Sequence, residues 1–181
     1  TVSAETRATP VPADDVLDFG VYTYVSEKGS ETTPPPYDGT KSKEYMANQF
    51  VDISEGYLYS PVRYWPGNRY WVNFFAYRPY ITNVNKDDET YLTLDSTDNL
   101  PVMTYSVPAD VADQVDLLAA STETFSGDYR KTVELPFAHM LSAIVFKVGS
   151  IPAVEITELS LNNLVSKGSV DINRDGVWSG L

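Results

Sequence analysis

Residues 64–80, YWPGNRYWVNFFAYRPY, place eight aromatic side chains within seventeen positions. Successive side chains of a strand point to opposite faces, so the second half of this stretch predicts a strand with large apolar groups on both sides. A strand of that kind is usually buried. The turn residues Pro66-Gly67-Asn68 precede it and Arg78-Pro79 follow it. The stretch therefore predicts a central strand of an all-β fold.

The same aromatic residues suit a second interpretation, a platform on which sugar rings stack. Alternating aromatic and β-branched residues are what sheet packing selects, which favours the core interpretation. Trp65 and Trp71 discriminate between the two. Exposure of both side chains would favour carbohydrate binding, whereas burial would favour a structural core.

Composition narrows the class of protein before any motif is considered. The 181 residues allow one large or two small domains. The absence of cysteine excludes thiol catalysis, thiolate metal sites and disulfides. A net charge of -12 repels phosphate backbones and anionic lipid headgroups, so we expect no nucleic-acid partner. No apolar run approaches the ~20 residues of a membrane span. Because the chain begins at Thr1 and not at methionine, we expect a processed or trimmed product.

Short β-type runs separated by turn residues follow one another along the chain, a pattern typical of sandwiches. We predict an extended lead-in over residues 1–15, a β-sandwich over 16–120, a polar linker over 121–130 and the start of a second, incomplete β-domain over 131–181. Besides the aromatic strand, the predicted strands are residues 18–25, 44–53, 57–59, 91–94, 101–107, 132–137, 139–148, 154–162 and 169–172. Residues 108–120 predict a short helical turn running into a strand. The predicted core side chains are Phe19, Val21, Trp71, Phe74, Phe75, Ile144, Phe146 and Val148.

Catalytic groups are sparse in this sequence. His139 is the single histidine, so a histidine-based metal cluster is excluded and any Ser-His-Asp arrangement would have to use it. Ser142 lies three positions further on, which in a strand is the opposite face. We therefore expect His139 to bond to backbone, and we expect the acids Asp116 and Glu134 to face solvent. The scarcity of catalytic and metal-ligating groups predicts that the protein is not an enzyme and needs neither a cofactor nor a metal.

One half-motif points towards calcium. Residues 171–176, DINRDG, carry oxygen ligands at the first, third and fifth positions of a calcium loop and glycine at the sixth. The acid that completes such a loop would fall just past Leu181. The Asp175-Gly176 pair with Val177-Trp178 after it also predicts a hairpin, because both residues of the pair tolerate positive φ. Calcium binding stays open at this point, with the hairpin favoured.

Blocks of the sequence, in order, resemble those of the fimbrillin-like, Mfa-like proteins of Bacteroidetes. The blocks are DFGVYTYV (18–25), YMANQFV (45–51), YLYSPVRYWP (57–66), VNFFAYRPY (72–80), QVDLLAA (114–120) and LPFAHMLSAIVFKVG (135–149). The resemblance covers residues 7–148. It implies a transthyretin-like β-sandwich of Greek-key type, followed in the family by a second sandwich. It also implies a cell-surface fimbrial subunit or tip adhesin that derives from an outer-membrane lipoprotein precursor and assembles by strand donation.

The expected partners are therefore other fimbrial subunits, of the same or a related kind, and a host or bacterial surface ligand. A carbohydrate-binding module of a surface glycan-uptake system is the alternative function. Two departures from the family pattern are visible. The chain has no lipobox cysteine, and only about fifty residues follow the block that opens the second sandwich, where ~100 or more are expected. Arg7, in ETRATPV, lies where family members are cut by an arginine-specific protease, so it is a candidate processing site.

Overall fold

A computed structural model of the chain describes residues 3–5, 18–54, 56–82, 91–96, 100–110, 113–145, 158, 160, 162–173 and 175–180. The named elements among these residues are all strands, and every pairing between them is antiparallel. The predicted all-β class is confirmed. The strands form a six-stranded sheet, a three-stranded sheet and a small two-stranded sheet.

The six-stranded sheet is built around the aromatic strand. Its members are β2 (Phe19–Glu27), β3 (Lys43–Val51), β4 (Tyr70–Arg78), β7 (Leu118–Ser121), β8 (Phe125–Ser126) and β9 (Ala138–His139). The strand order is β3-β2-β4-β7-β9, and β8 pairs with the first part of β4 beside β7. The aromatic strand β4 is therefore central, as its two apolar faces predicted.

The other strands form two smaller sheets. They are β1 (Ser3–Glu5), β5 (Leu92–Asp95), β6 (Val102–Ser106), β10 (Ala143–Val145) and β11 (Lys167–Asp171). The three-stranded sheet has the order β11-β6-β5, and β1 pairs with β10 alone. Residues 3–5 thus enter neither of the larger sheets.

The main core fills the space between the two larger sheets. The six-stranded sheet contributes aromatic side chains to it, and the three-stranded sheet contributes aliphatic side chains and a methionine. The buried members are Tyr22, Tyr24, Phe75, Tyr77, Leu94, Leu100, Met103, Val170 and Ile172. Edge-to-face ring contacts join Tyr24, Tyr37 and Phe75, with centroids 4.8–5.9 Å apart. Burial of this apolar surface from both sides makes the pair of sheets a sandwich.

A second apolar cluster covers the opposite face of the six-stranded sheet. Its buried members are Phe19, Val21, Val51, Ala76, Leu118, Ala120 and Phe137. The two clusters alternate along β2 and β4, because neighbouring side chains of a strand point to opposite faces. Within the part of the chain that the structure describes, the six-stranded sheet is therefore apolar on both sides, and the three-stranded sheet packs against one of them.

Several predicted strands differ from the structure. Residues 57–59 make one isolated bridge, between Asp52 and Leu58, and residues 132–137 form no strand. The long strand predicted over 139–148 is interrupted after β9, because residues 140–142 turn before β10 begins. Apolar alternation does not distinguish a paired strand from an extended segment that lies on a sheet face. The strand predicted over 154–162 lies mostly outside the described residues.

The division into domains stays a prediction. Strands after the predicted linker nevertheless pair with strands before it, because β9 pairs with β7 and β11 pairs with β6. The linker region itself contains β8, which pairs with Trp71 and Val72 of β4. Residues on the two sides of the proposed boundary therefore share sheets.

The predicted core is confirmed for Phe19, Val21, Trp71 and Phe75, which are at most 5% exposed. Phe74 was predicted to be buried and is only half-buried, because it points away from the core between the two larger sheets. The side chains of Ile144, Phe146 and Val148 lie outside the described residues.

Candidate functional site

The face of the six-stranded sheet opposite the main core carries an open cavity of about 650 Å³, named here the outer-face groove. Its floor consists of side chains from β2, β3 and β4, namely Phe19, Val21, Thr23, Met46, Val51, Val72 and Phe74. Ile53 and residues 57–66 form one wall, and residues 131–137 form a second. A cavity of this size and apolar character falls within the range of ligand-binding pockets.

Contacts between side chains fix the first wall above the sheet. The hydroxyl of Tyr45, on β3, donates to the carbonyl of Tyr64 at 2.7 Å. The ring of Trp65 packs against Phe74 and Tyr129, with centroids 5.8 and 5.7 Å away. Tyr64 itself is 82% exposed. The wall therefore presents aromatic side chains to solvent while its backbone is tied to the sheet.

Trp71 does not form a sugar-stacking platform. Its side chain is 2% exposed, and the Nζ of Lys28 lies 4.1 Å from its ring centroid. Trp65 is half-buried against Phe74. Because Trp71 is buried and Trp65 is half-buried, the two rings do not form a shared exposed stacking surface, and the structure does not support the carbohydrate-binding alternative.

His139 bonds to a carboxylate, where a backbone partner was predicted. Its Nδ1 lies 2.6 Å from Oδ2 of Asp116, whose side chain is 49% exposed as expected for a solvent-facing acid. Pairing of β7 with β9 places Leu118 opposite His139 and so brings Asp116 within reach. Among the described residues no serine hydroxyl bonds to His139. The His139–Asp116 pair therefore lacks the nucleophile of a Ser-His-Asp triad in that part of the chain.

The calcium half-motif adopts a turn that uses its own oxygens. Oδ1 of Asn173 accepts hydrogen bonds from Oγ of Ser121 at 2.9 Å and from the backbone N–H of Asp175 at 3.3 Å. The chain then turns back, so that Ser169 and Ser179 exchange backbone hydrogen bonds at 2.9 and 2.8 Å. The predicted reversal of the chain is present, but without a two-residue Asp-Gly turn: the backbone N–H of Gly176 donates to the carbonyl of Asn173 at 2.8 Å, and Val177 and Trp178 belong to no strand. No group of three or more potential ligand residues is present in the described part of the chain.

Free sheet edges are the other candidate sites, because unpaired N–H and C=O groups accept an added strand. Within the described residues, β3 and β9 are the edges of the six-stranded sheet. The edge of β10 is covered by β1, with Ala4 opposite Ile144. Arg7, the predicted processing site, lies just after β1 and outside the described residues.

The outer-face groove was missed by sequence reasoning, which assigned the second apolar face of the aromatic strand to the core of a sandwich. A usable signal is present in the sequence. Both β2 and β4 are apolar on two faces. In a two-sheet sandwich the partner sheet covers only one face of a strand, so the second apolar face needs another covering group. Two such strands side by side indicate that something besides the partner sheet lies against them.

Comparison with known proteins agrees with this architecture. The family model described as fimbrillin-like matches residues 6–180. The chain belongs to the fimbrillin-like family. The fimbrium subunit Fim1C of Phocaeicola vulgatus is 27% identical over 160 aligned residues, which cover 80% of this chain and 39% of the relative. This fimbrillin-like chain therefore spans well under half the length of that curated relative.

A solved structure shows the same fold. The crystal structure of a fimbrial protein from Bacteroides vulgatus superimposes with a TM-score of 0.59 at 17% identity, over 90% of this chain and 54% of the other. At that level of identity the likeness concerns the fold alone. A transthyretin-like Greek-key arrangement in particular stays a prediction. No helix among the described residues is long and apolar enough to cross a membrane.

Proposed function

We propose that this chain is part of a structural subunit of a cell-surface fimbrium. The observation that carries the proposal is the match of the fimbrillin-like family model to nearly the whole chain, on a sandwich with free sheet edges. The subunit reaches the surface as an outer-membrane lipoprotein precursor, and its partners are other fimbrial subunits. The chain acts as a building block, without enzymatic activity or a cofactor.

Subunits join by strand donation, and the pairing of β1 with β10 supports this step. Ser3–Glu5 and Ala143–Val145 form a two-stranded sheet of their own, so β1 can leave without breaking the two larger sheets. In the sequence, Arg7 lies two positions after Glu5, the last residue of β1. Cleavage after Arg7 would leave β1 tethered by its pairing with β10 alone, and its loss would expose the backbone edge of β10 to a strand from the next subunit.

Replacement of Arg7 by Ala in the complete precursor, expressed in its native host, tests the assembly step. We expect the high-mass ladder of unboiled surface extracts to disappear while the subunit still reaches the surface. Arg69→Ala, in the exposed turn before β4, is the matched control and should leave the ladder intact. An undiminished ladder in Arg7→Ala would place processing elsewhere.

A second variant separates cleavage from release of β1. Ala4→Pro weakens the pairing with Ile144, because proline fits poorly inside a strand. If cleavage serves to free β10, the double variant Arg7→Ala/Ala4→Pro should regain part of the ladder. If the ladder stays absent, covering of β10 by β1 is not what blocks assembly.

A further inference from the structure

We propose that the outer-face groove binds a medium- or long-chain fatty acid, with the acyl chain on the sheet and the carboxylate at Arg63 and Lys131. The groove has an apolar floor and a volume of about 650 Å³, which suits a single extended acyl chain. This inference does not depend on fimbrial assembly. It concerns the face of the six-stranded sheet, whereas strand donation uses an edge.

The backbone beneath the groove argues against an added peptide strand as the occupant. On one side β2 pairs with β3, and on the other side it pairs with β4. The far side of β4 pairs with β7 and β8, and between them the N–H and carbonyl of Phe74 bond to Thr122 at 3.2 and 3.1 Å. Strand addition requires unpaired backbone groups. Under the groove, β2 and β4 are thus paired on both sides, and among the described floor strands only β3 has a free edge. The floor itself offers apolar side chains, which suit a ligand without an amide backbone.

Charge at the mouth of the groove selects the headgroup. Arg63 and Lys131 both line the groove and both are exposed, and Nζ of Lys131 also lies 5.5 Å from the ring centroid of Tyr129. Among the described residues neither has a carboxylate within ion-pair distance, although Glu134 also lines the groove. The groove thus carries a net positive charge at its mouth in a chain whose net charge is -12. An anionic headgroup is attracted there, and a guanidinium binds a carboxylate through two hydrogen bonds.

Quenching of Trp65 fluorescence provides a readout that is local to the groove. Trp65 lines the groove, whereas Trp71 and Trp178 do not. Titration of the chain with ω-bromododecanoate should give saturable quenching, which Trp65→Phe should abolish. Competition by unlabelled decanoate, dodecanoate and tetradecanoate then measures the contribution of the acyl chain. Each buried methylene should tighten binding by about fourfold, or roughly fifteenfold for two carbons.

Matched variants test the headgroup. The double variant Arg63→Gln/Lys131→Gln should weaken dodecanoate binding at least tenfold. Arg69→Gln/Lys167→Gln removes the same charge from exposed positions outside the groove and should leave binding unchanged. The parent should bind dodecanol more weakly than dodecanoate. The affinity for dodecanol, which has no charge, should be the same in the two double variants. Because all four positions are exposed, these variants should fold like the parent.

A third variant tests the apolar floor and walls. Ile53→Glu places a carboxylate on the half-buried lip of the groove and should abolish quenching, with the thermal unfolding curve as a check on folding. The proposal is overturned by absent or non-saturable quenching, by affinity that does not rise with chain length, or by equal affinity of the two double variants. Tighter binding of an extended apolar peptide than of tetradecanoate would assign the groove to a polypeptide instead.

Discussion

The ring of Tyr77 occupies the space that a side chain at Gly20 would need. The two residues are directly opposite each other in the pairing of β2 with β4. A Cβ added at Gly20 would lie 2.7 Å from Cζ of Tyr77. The ring crosses β2 at this point, and its hydroxyl donates to Oδ1 of Asn48 on β3. One side chain thus links three neighbouring strands, and glycine at position 20 is what lets it pass.

Substitution of this glycine should destabilise the fold. We expect Gly20→Ala to lower the free energy of unfolding by about 1–3 kcal/mol, because the added methyl group displaces a fully buried ring. Urea unfolding measures the change. In a Tyr77→Leu background, where the crossing ring is absent, the same substitution should cost much less. Equal costs in the two backgrounds would mean that the ring is not the obstacle.

Buried tyrosines should make stability fall at alkaline pH. Burial raises the pKa of Tyr22 to about 12 and also raises the pKa of Tyr24 and Tyr77. The unfolded chain ionises at about 10, so this contribution is complete below that pH and is lost as pH rises towards the folded pKa. As pH rises from the unfolded to the folded pKa of Tyr22, the free energy of unfolding should fall by roughly 1–2 kcal/mol less in Tyr22→Phe than in the parent. Tyr64→Phe, at an exposed ring, should follow the parent.

Neighbouring phenylalanines on opposite faces of β4 should differ in their contribution to stability. Phe75 is 2% exposed in the core between the sheets, so Phe75→Ala should cost ~3–5 kcal/mol. Phe74 is half-buried in the outer-face groove, and Phe74→Ala should cost only about 1–2 kcal/mol. Urea midpoints at unchanged slope provide the comparison. If the two costs are equal, the groove is filled or closed in solution.

Neither addition nor chelation of calcium should change the thermal stability of the fold. The side-chain oxygen of Asn173 already accepts hydrogen bonds from Ser121 and from the backbone of Asp175. Calorimetry in excess chelator and in added calcium should therefore give the same melting temperature. A rise of several degrees with calcium would show that the turn at residues 171–176 rearranges to bind the ion.

Local pattern predicted much of the fold correctly. The alternation in residues 18–25 and in the aromatic stretch is reproduced by β2 and β4, and the chain reverses direction near Asp175-Gly176. Errors occur where a segment is extended without being paired, as in residues 132–137. Side chains there alternate because one side rests on the face of the sheet, and a pattern of side chains carries no information about backbone pairing.

The candidate sites depended more strongly on tertiary structure. Asp116 and His139 are far apart in sequence and meet only because β7 pairs with β9. Arg63 and Lys131 line one groove because two separate segments cover the same sheet face. The composition of a segment does not reveal which other segment will lie beside it, since pairing depends on the complete set of strands.

The sequence by itself determined the all-β class, the central place of the aromatic strand and, through its ordered blocks, the family. Those properties follow from side-chain periodicity and turn residues, which act over a few positions. Only the tertiary structure decided which face of β4 became the core and which became the floor of the groove. Both faces are apolar, so the local pattern is symmetric. The choice is made by the three-stranded sheet, which can pack against only one of them.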